Sequence, residues 1–165
     1  MNKKAEFEKF YNTHIDKVYR FVYFRIGADK VLAQDLVSEI FIKALENFIN
    51  YDEKKSRSAW IFTIAKNHLA NHWRDKKPVG SLPEDEDEAN DDFWLKSAVS
   101  AFKKEATKRQ VYDLLEELDT SSREIVTFHY LLGYNYAEIA AIKNMSETAV
   151  KVAAHRAIKK LYTHI

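Results

Sequence analysis

Apolar positions recur at helical spacing along most of the chain. Phe7, Phe10, Tyr11, Ile15, Val18, Phe21 and Val22 line one face of a first helix, which stops at Gly27, a residue suited to a left-handed cap. Asp29 is placed to cap a second helix. Wound at helical pitch, Ala33, Leu36, Val37, Ile40, Phe41, Ala44 and Phe48 gather on its core side, and Asp35, Ser38, Glu39, Ile42 and Glu46 on the other. A polar stretch from Asn50 to Ser58 leads to a third helix, from about Ala59 to Arg74, whose inner side holds Ile61, Ala65, His68, Leu69 and His72. Pro78, Gly80 and Pro83 then break the pattern, and residues 84–92 carry seven acids in nine positions without a base. Such a run reads as solvated linker.

A further helix is expected from near Phe93 toward Leu118. Three helix starts crowd the remainder: Ser121 with Glu124 and Asn135 with Glu138 as capping boxes, and Ser146 as an N-cap. A short helix, Tyr136 to Lys143, a turn through Asn144, Met145 and Ser146, and a longer basic helix form a helix-turn-helix. The pattern predicts an all-α fold of two small helical domains, residues 1–77 and 93–165, joined by an acidic linker at 78–92.

Composition narrows the function. Three glycines and two prolines are too few for the turns of a β-rich fold. The absence of cysteine excludes disulfides, thiolate metal sites and a cysteine nucleophile, and fits a reducing cytoplasm. The N-terminal segment has no unbroken apolar stretch, so neither a signal peptide nor membrane insertion is expected. The net charge of +1 conceals an asymmetry: 15 basic against 10 acidic residues over 1–80, 5 against 12 over 81–122, and 6 against 3 over 123–165. Basic ends suit phosphate backbones.

Three surfaces carry candidate chemistry. On the second helix, Asp35, Ser38, Glu39 and Ile42 share the solvent side, an apolar spot among acids that suits a protein partner with a basic rim. An ordinary solvated face is the plainer alternative. On the third helix, Trp60, Thr63, Asn67, Asn71 and Arg74 share one side with Lys66 nearby, preceded by Lys54, Lys55 and Arg57. Amides that read base edges and cations that hold phosphates suit a partly opened duplex, although Trp60 is equally placed to be core. On the last helix, Val150, Ala154, Ala157 and Leu161 point inward, and Thr148, Lys151, Val152, His155, Arg156 and Lys159 outward, toward a DNA groove. His68 and His72 have the spacing of a metal half-site but no third ligand. With no glycine-rich phosphate loop and no paired carboxylates, neither a cofactor nor catalysis is expected.

The stretch YLLGYNYAEIAAIKNMSETAVKVAAHRAIKKL resembles region 4 of sigma factors, the part that reads the −35 promoter element. DLVSEIF (35–41) and AWIFTIAKNHLANHWRDKK (59–77) resemble region 2. The pairing of these two blocks, without a third region, matches the extracytoplasmic-function group of the sigma-70 family. The resemblance implies that Asp35, Ser38, Glu39 and Ile42 grip the clamp helices of the largest subunit of core RNA polymerase. It further implies that Lys54, Lys55, Arg57, Lys66, Asn67, Asn71 and Arg74 bind the −10 element, the loop at 54–58 holding an unstacked base. Thr148, Lys151, Val152, His155, Arg156 and Lys159 then bind the −35 element, and an anti-sigma factor is an expected partner. Two departures stand out: Asn71 replaces an acid, and Ala153 replaces an arginine. The competing reading is a helix-turn-helix regulator that never engages polymerase.

Overall fold

The computed structural model describes residues 2–27, 29–74 and 107–163. The acidic linker and the start of the helix expected near Phe93 lie outside them, as does the side chain of Arg74. Every regular element among the described residues is helical. The chain divides into two compact units, Met1–Val79 and Gly80–Ile165.

The first unit contains α1 (Lys3–Arg25), α2 (Lys30–Asn47) and α3 (Arg57–Arg74), with a 3-10 turn at Phe48–Asn50. Asn2 caps α1 by accepting the Lys4 amide at 3.0 Å, and Asp29 caps α2 by accepting that of Leu32 at 3.1 Å. Gly27 sits between them at φ 96°, where a side chain would be strained. α3 begins two residues before the expected Ala59, because the Ser56 hydroxyl accepts the Ala59 amide at 3.2 Å and so caps an earlier turn.

All seven expected inward positions, six on α2 and Phe48 on the turn after it, are buried, against Phe10, Val18, Phe21 and Val22 of α1 and Ile61, Phe62, Ala65 and Leu69 of α3. Each large side chain removed from water contributes about 1.5–3 kcal/mol relative to exposure. The Phe21 and Phe62 rings meet edge to face with centroids 5.3 Å apart.

The described part of the second unit opens with α4 (Lys108–Leu115), begun by a capping box between Thr107 and Gln110. α4 stops short of the expected Leu118. Its final turn is closed instead by Arg123, whose Nε and Nη2 donate to the carbonyls of Leu115 and Leu118 at 3.0 and 3.1 Å. α5 (Thr120–Val126) is capped by Asp119, which accepts the Ser122 amide at 3.2 Å, and not by Ser121. A carboxylate two residues upstream outcompetes the serine and moves the helix start. Glu124, expected to complete a box with Ser121, is buried and receives a hydrogen bond from Lys143 at 2.6 Å.

α5 runs on into a π-helical turn at Thr127–Leu131, released by Gly133 at φ 80°. α6 (Tyr136–Lys143) opens with the expected box, both Asn135–Glu138 hydrogen bonds measuring 2.8 Å. It ends on Asn144 in the left-handed conformation, after which Ser146 caps α7 (Glu147–Tyr162) through the Ala149 amide at 3.1 Å. Asparagine tolerates that backbone better than most residues, so the tight turn of the helix-turn-helix is met without glycine.

Candidate partner and nucleic-acid surfaces

The solvent side of α2 exposes Asp35, Ser38, Glu39 and Ile42 together. It continues further than the sequence reading took it. Ile42, Leu45 and Ile49 are 55%, 56% and 74% exposed at spacings of three and four, and Val31 extends the line toward the start of the helix. Three large aliphatic groups in a row on one face, beside Asp35, Glu39 and Glu46, form an apolar stripe with an acidic border. The signal was present in the chain as the same spacing applied to residues outside the core set. Glu39 is tied to α3: its Oε2 lies 2.6 Å from Nε2 of His68, while Nζ of Lys43 lies 2.9 Å from the other ring nitrogen.

The loop between the 3-10 turn and α3 is internally built. Asp52 accepts the Lys54 amide through its side chain at 3.0 Å and that of Lys55 through its carbonyl at 2.9 Å. The Tyr51 hydroxyl donates to the carbonyl of Lys55, and the Tyr51 ring lies parallel to Phe48 and 5.0 Å from Trp60. Lys54, Lys55 and Arg57 are exposed on this scaffold. Along α3, Thr63, Asn67 and Asn71 are exposed and Lys66 half-buried, giving two amides one helical turn apart.

Trp60 does not join them as a free stacking platform. Its ring packs 5.6 Å from Phe10 and 6.1 Å from Phe48, in the aromatic cluster that anchors the loop. Near the end of the helix, the guanidinium of Arg25 covers the Trp73 ring at 4.9 Å, a contact the sequence reading missed because it joins two helices.

On α7, Val150, Ala154, Ala157 and Leu161 are buried, while Thr148, Lys151 and Lys159 are exposed and Val152 and Arg156 partly covered. His155 corrects the expectation of an outward residue: it is 5% exposed. It falls at the edge between the two faces, beside buried Ile158, where tertiary packing and not helical angle decides. Nε and Nη2 of Arg156 are shielded from solvent without a hydrogen-bond partner among the described residues. No group of three His, Asp or Glu side chains there could hold a metal ion, and no described helix is long and apolar enough to cross a membrane.

Family models match in chain order: Sigma-70 region 2 over residues 10–79 and Sigma-70 region 4 over residues 108–161. A sigma factor of Caulobacter vibrioides, SigF, is 30% identical over 78% of this chain and 68% of its own length. The chain belongs to the sigma-70 family. Its extracytoplasmic-function relatives include SigX of Bacillus subtilis, 25% identical over 96% of this chain and 83% of SigX. BldN of Streptomyces coelicolor is 29% identical over 94% of this chain, which spans 58% of that protein. Among solved structures, CnrH in complex with the cytosolic domain of CnrY matches with a TM-score of 0.69 at 22% identity, covering 98% of this chain and 88% of CnrH. RpoE of Bartonella quintana, bound to the anti-sigma factor NepR, matches at 0.66 and 18%, covering 96% and 97%. The helical sigma fold is thus shared across both units.

Proposed function

We propose that this sigma-family chain lends promoter recognition to core RNA polymerase in the cytoplasm, binding core through α2, the −10 element through the loop and α3, and the −35 element through α7. The observation that carries the reading is the order of regions 2 and 4 along two separately packed units. In this reading residues 1–77 hold polymerase and the −10 element, 93–165 hold the −35 element, and 78–92 join them. The apolar stripe of Ile42, Leu45 and Ile49 supplies desolvation energy at the polymerase contact, and Asp35 and Glu39 set its register by charge. Asn67 and Asn71 read exposed base edges; the pinned loop takes an unstacked base, whose extrusion costs a few kcal/mol that the melted state must offset. Arg74, aligned with the family's motif, is assigned to the same strand. On α7, Thr148, Lys151, Val152, Arg156 and Lys159 remain the groove residues, and His155 is withdrawn from that set. An anti-sigma protein is the regulatory partner, by likeness to the sigma factor RpoE, which is solved with one.

Reconstitution with purified core polymerase and a promoter library tests the whole reading. Specific initiation should depend on both proteins, and Leu45→Arg combined with Ile42→Asp should abolish core binding while the chain stays helical. Specific promoter binding by the chain alone, with no affinity for core, would instead favour the one-component regulator.

A further inference from the structure

Neither histidine singled out in the sequence has a part in the function proposed above, yet the structure gives one of them a place. His68 lies on α3, one residue after Asn67, with its side chain 13% exposed. Its Nε2 is 2.6 Å from Oε2 of Glu39 and its Nδ1 is 2.9 Å from Nζ of Lys43, both on α2. A carboxylate can only accept and an ammonium can only donate. The ring is therefore held as the Nε2–H tautomer, donating to Glu39 and accepting from Lys43. Glu39 and Lys43 stand one turn apart in the orientation that favours a direct ion pair on an isolated helix. The imidazole reaches between them from a different helix and engages each separately.

We propose that His68 is a positioning residue: through its Nε2–H it fixes the Glu39 carboxylate on the docking face of α2, so that the helix assigned to −10 DNA also sets the geometry of polymerase attachment. The inference rests on reading that face as the polymerase surface. Glu39 is largely exposed, and a long exposed side chain loses rotamer freedom when a partner engages it. Held beforehand, it meets the partner already ordered.

The test titrates the labelled full chain with core polymerase from the same bacterium. His68→Leu fills the space and removes both hydrogen bonds, whereas His68→Gln can place an amide N–H where Nε2 stood. The Leu variant should bind core on the order of three- to tenfold more weakly, the range of an ordinary net hydrogen bond, since the contact lies partly exposed. The Gln variant should stay within about twofold of the parent, and adding Glu39→Gln to His68→Leu should cost little more than either alone, as shared interactions are non-additive. If His68→Leu fails to fold, His68→Asn, which keeps the acceptor position but cannot reach Glu39, takes its place beside His68→Gln. Parental affinity in His68→Leu, or equal affinities of the Asn and Gln variants, overturns the proposal. When Glu39→Gln alone weakens binding, that result leaves the polymerase reading standing; a parent chain that does not bind core overturns both.

Discussion

Replacing Lys143 by methionine should nearly unfold the second unit. Nζ of Lys143 lies 2.6 Å from Oε2 of Glu124, and their side chains are 8% and 7% exposed. Removing one member of a buried pair leaves its partner's charge out of water without that counter-charge, at a cost of about 3–5 kcal/mol. A stretch the length of 107–163 holds roughly 3–9 kcal/mol in total, at about 0.05–0.15 kcal/mol per residue. The loss is therefore comparable with everything that keeps α4 to α7 together. Hydrogen exchange read by mass spectrometry on the full chain resolves α5–α7 from the first unit, which serves as an internal control. At about 1.4 kcal/mol per decade, amides of α5–α7 should exchange about a hundred- to several-thousand-fold faster in Lys143→Met. Adding Glu124→Leu should restore most of the protection, since a well-packed apolar pair often matches a buried ionic one. Less than a tenfold change in Lys143→Met, or a double variant worse than the single, would refute this account of the pair.

Three further outcomes follow from named contacts. Burial holds the pKa of His14 below its usual 6.5, with Lys17 and Arg57 acting in the same direction against its hydrogen bond to the Phe10 carbonyl. The unfolded chain therefore takes up the proton first, so the first unit should lose stability as pH falls below about 6.5, and urea midpoints should lose part of that dependence in His14→Leu. Asn135→Ala removes the cap of α6 and should lower stability by about 0.5–2 kcal/mol, whereas Asn135→Gly should cost only a few tenths; equal melting of the two would remove capping as the cause. Ala153→Arg should sharpen one position of the −35 preference by about 1–3 kcal/mol in a promoter-library selection. An unchanged consensus would place residue 153 off the groove.

The parts of the fold legible in the sequence are those set by local periodicity and local caps. α2 alternates so regularly between core and solvent that its six inward positions, and Phe48 on the turn after it, could be read from spacing, and the Asn135–Glu138 box and the Ser146 cap fixed both helices of the helix-turn-helix. The failures come where two local signals compete or where a distant element decides. Asp119 and Ser121 are both good caps, and Asp119 takes the helix start while Glu124, the other half of the expected box, pairs with Lys143 instead. Trp60 is equally placed by spacing for core or for DNA, and Phe10, Phe48 and Tyr51, arriving from elsewhere in the chain, draw it into the aromatic cluster. His155 sits on a face boundary that a helical wheel leaves open. Leu45 and Ile49 are legible in spacing only when exposed aliphatic residues, and not charged ones, are sought on the solvent side, since an exposed aliphatic residue carries more information there than a charged one.

The scaffold of the loop at 51–56 has a kinetic and evolutionary consequence. Ordering a residue's backbone costs about 1–2 kcal/mol, and here Tyr51, Asp52 and Ser56 impose that order within the free protein. On the proposed reading of this loop, a segment already shaped need not search conformations after encountering a strand, so capture of a base would be limited by how often the duplex breathes open. The same rigidity makes loop length a discrete variable. Inserting or deleting one residue would shift Lys54 and Lys55 relative to α3 as a step, and on the proposed reading would change which nucleotide is met and not merely how firmly. Divergence of promoter preference through this loop should then proceed by substitution at fixed length, while length changes mark the founding of new specificities.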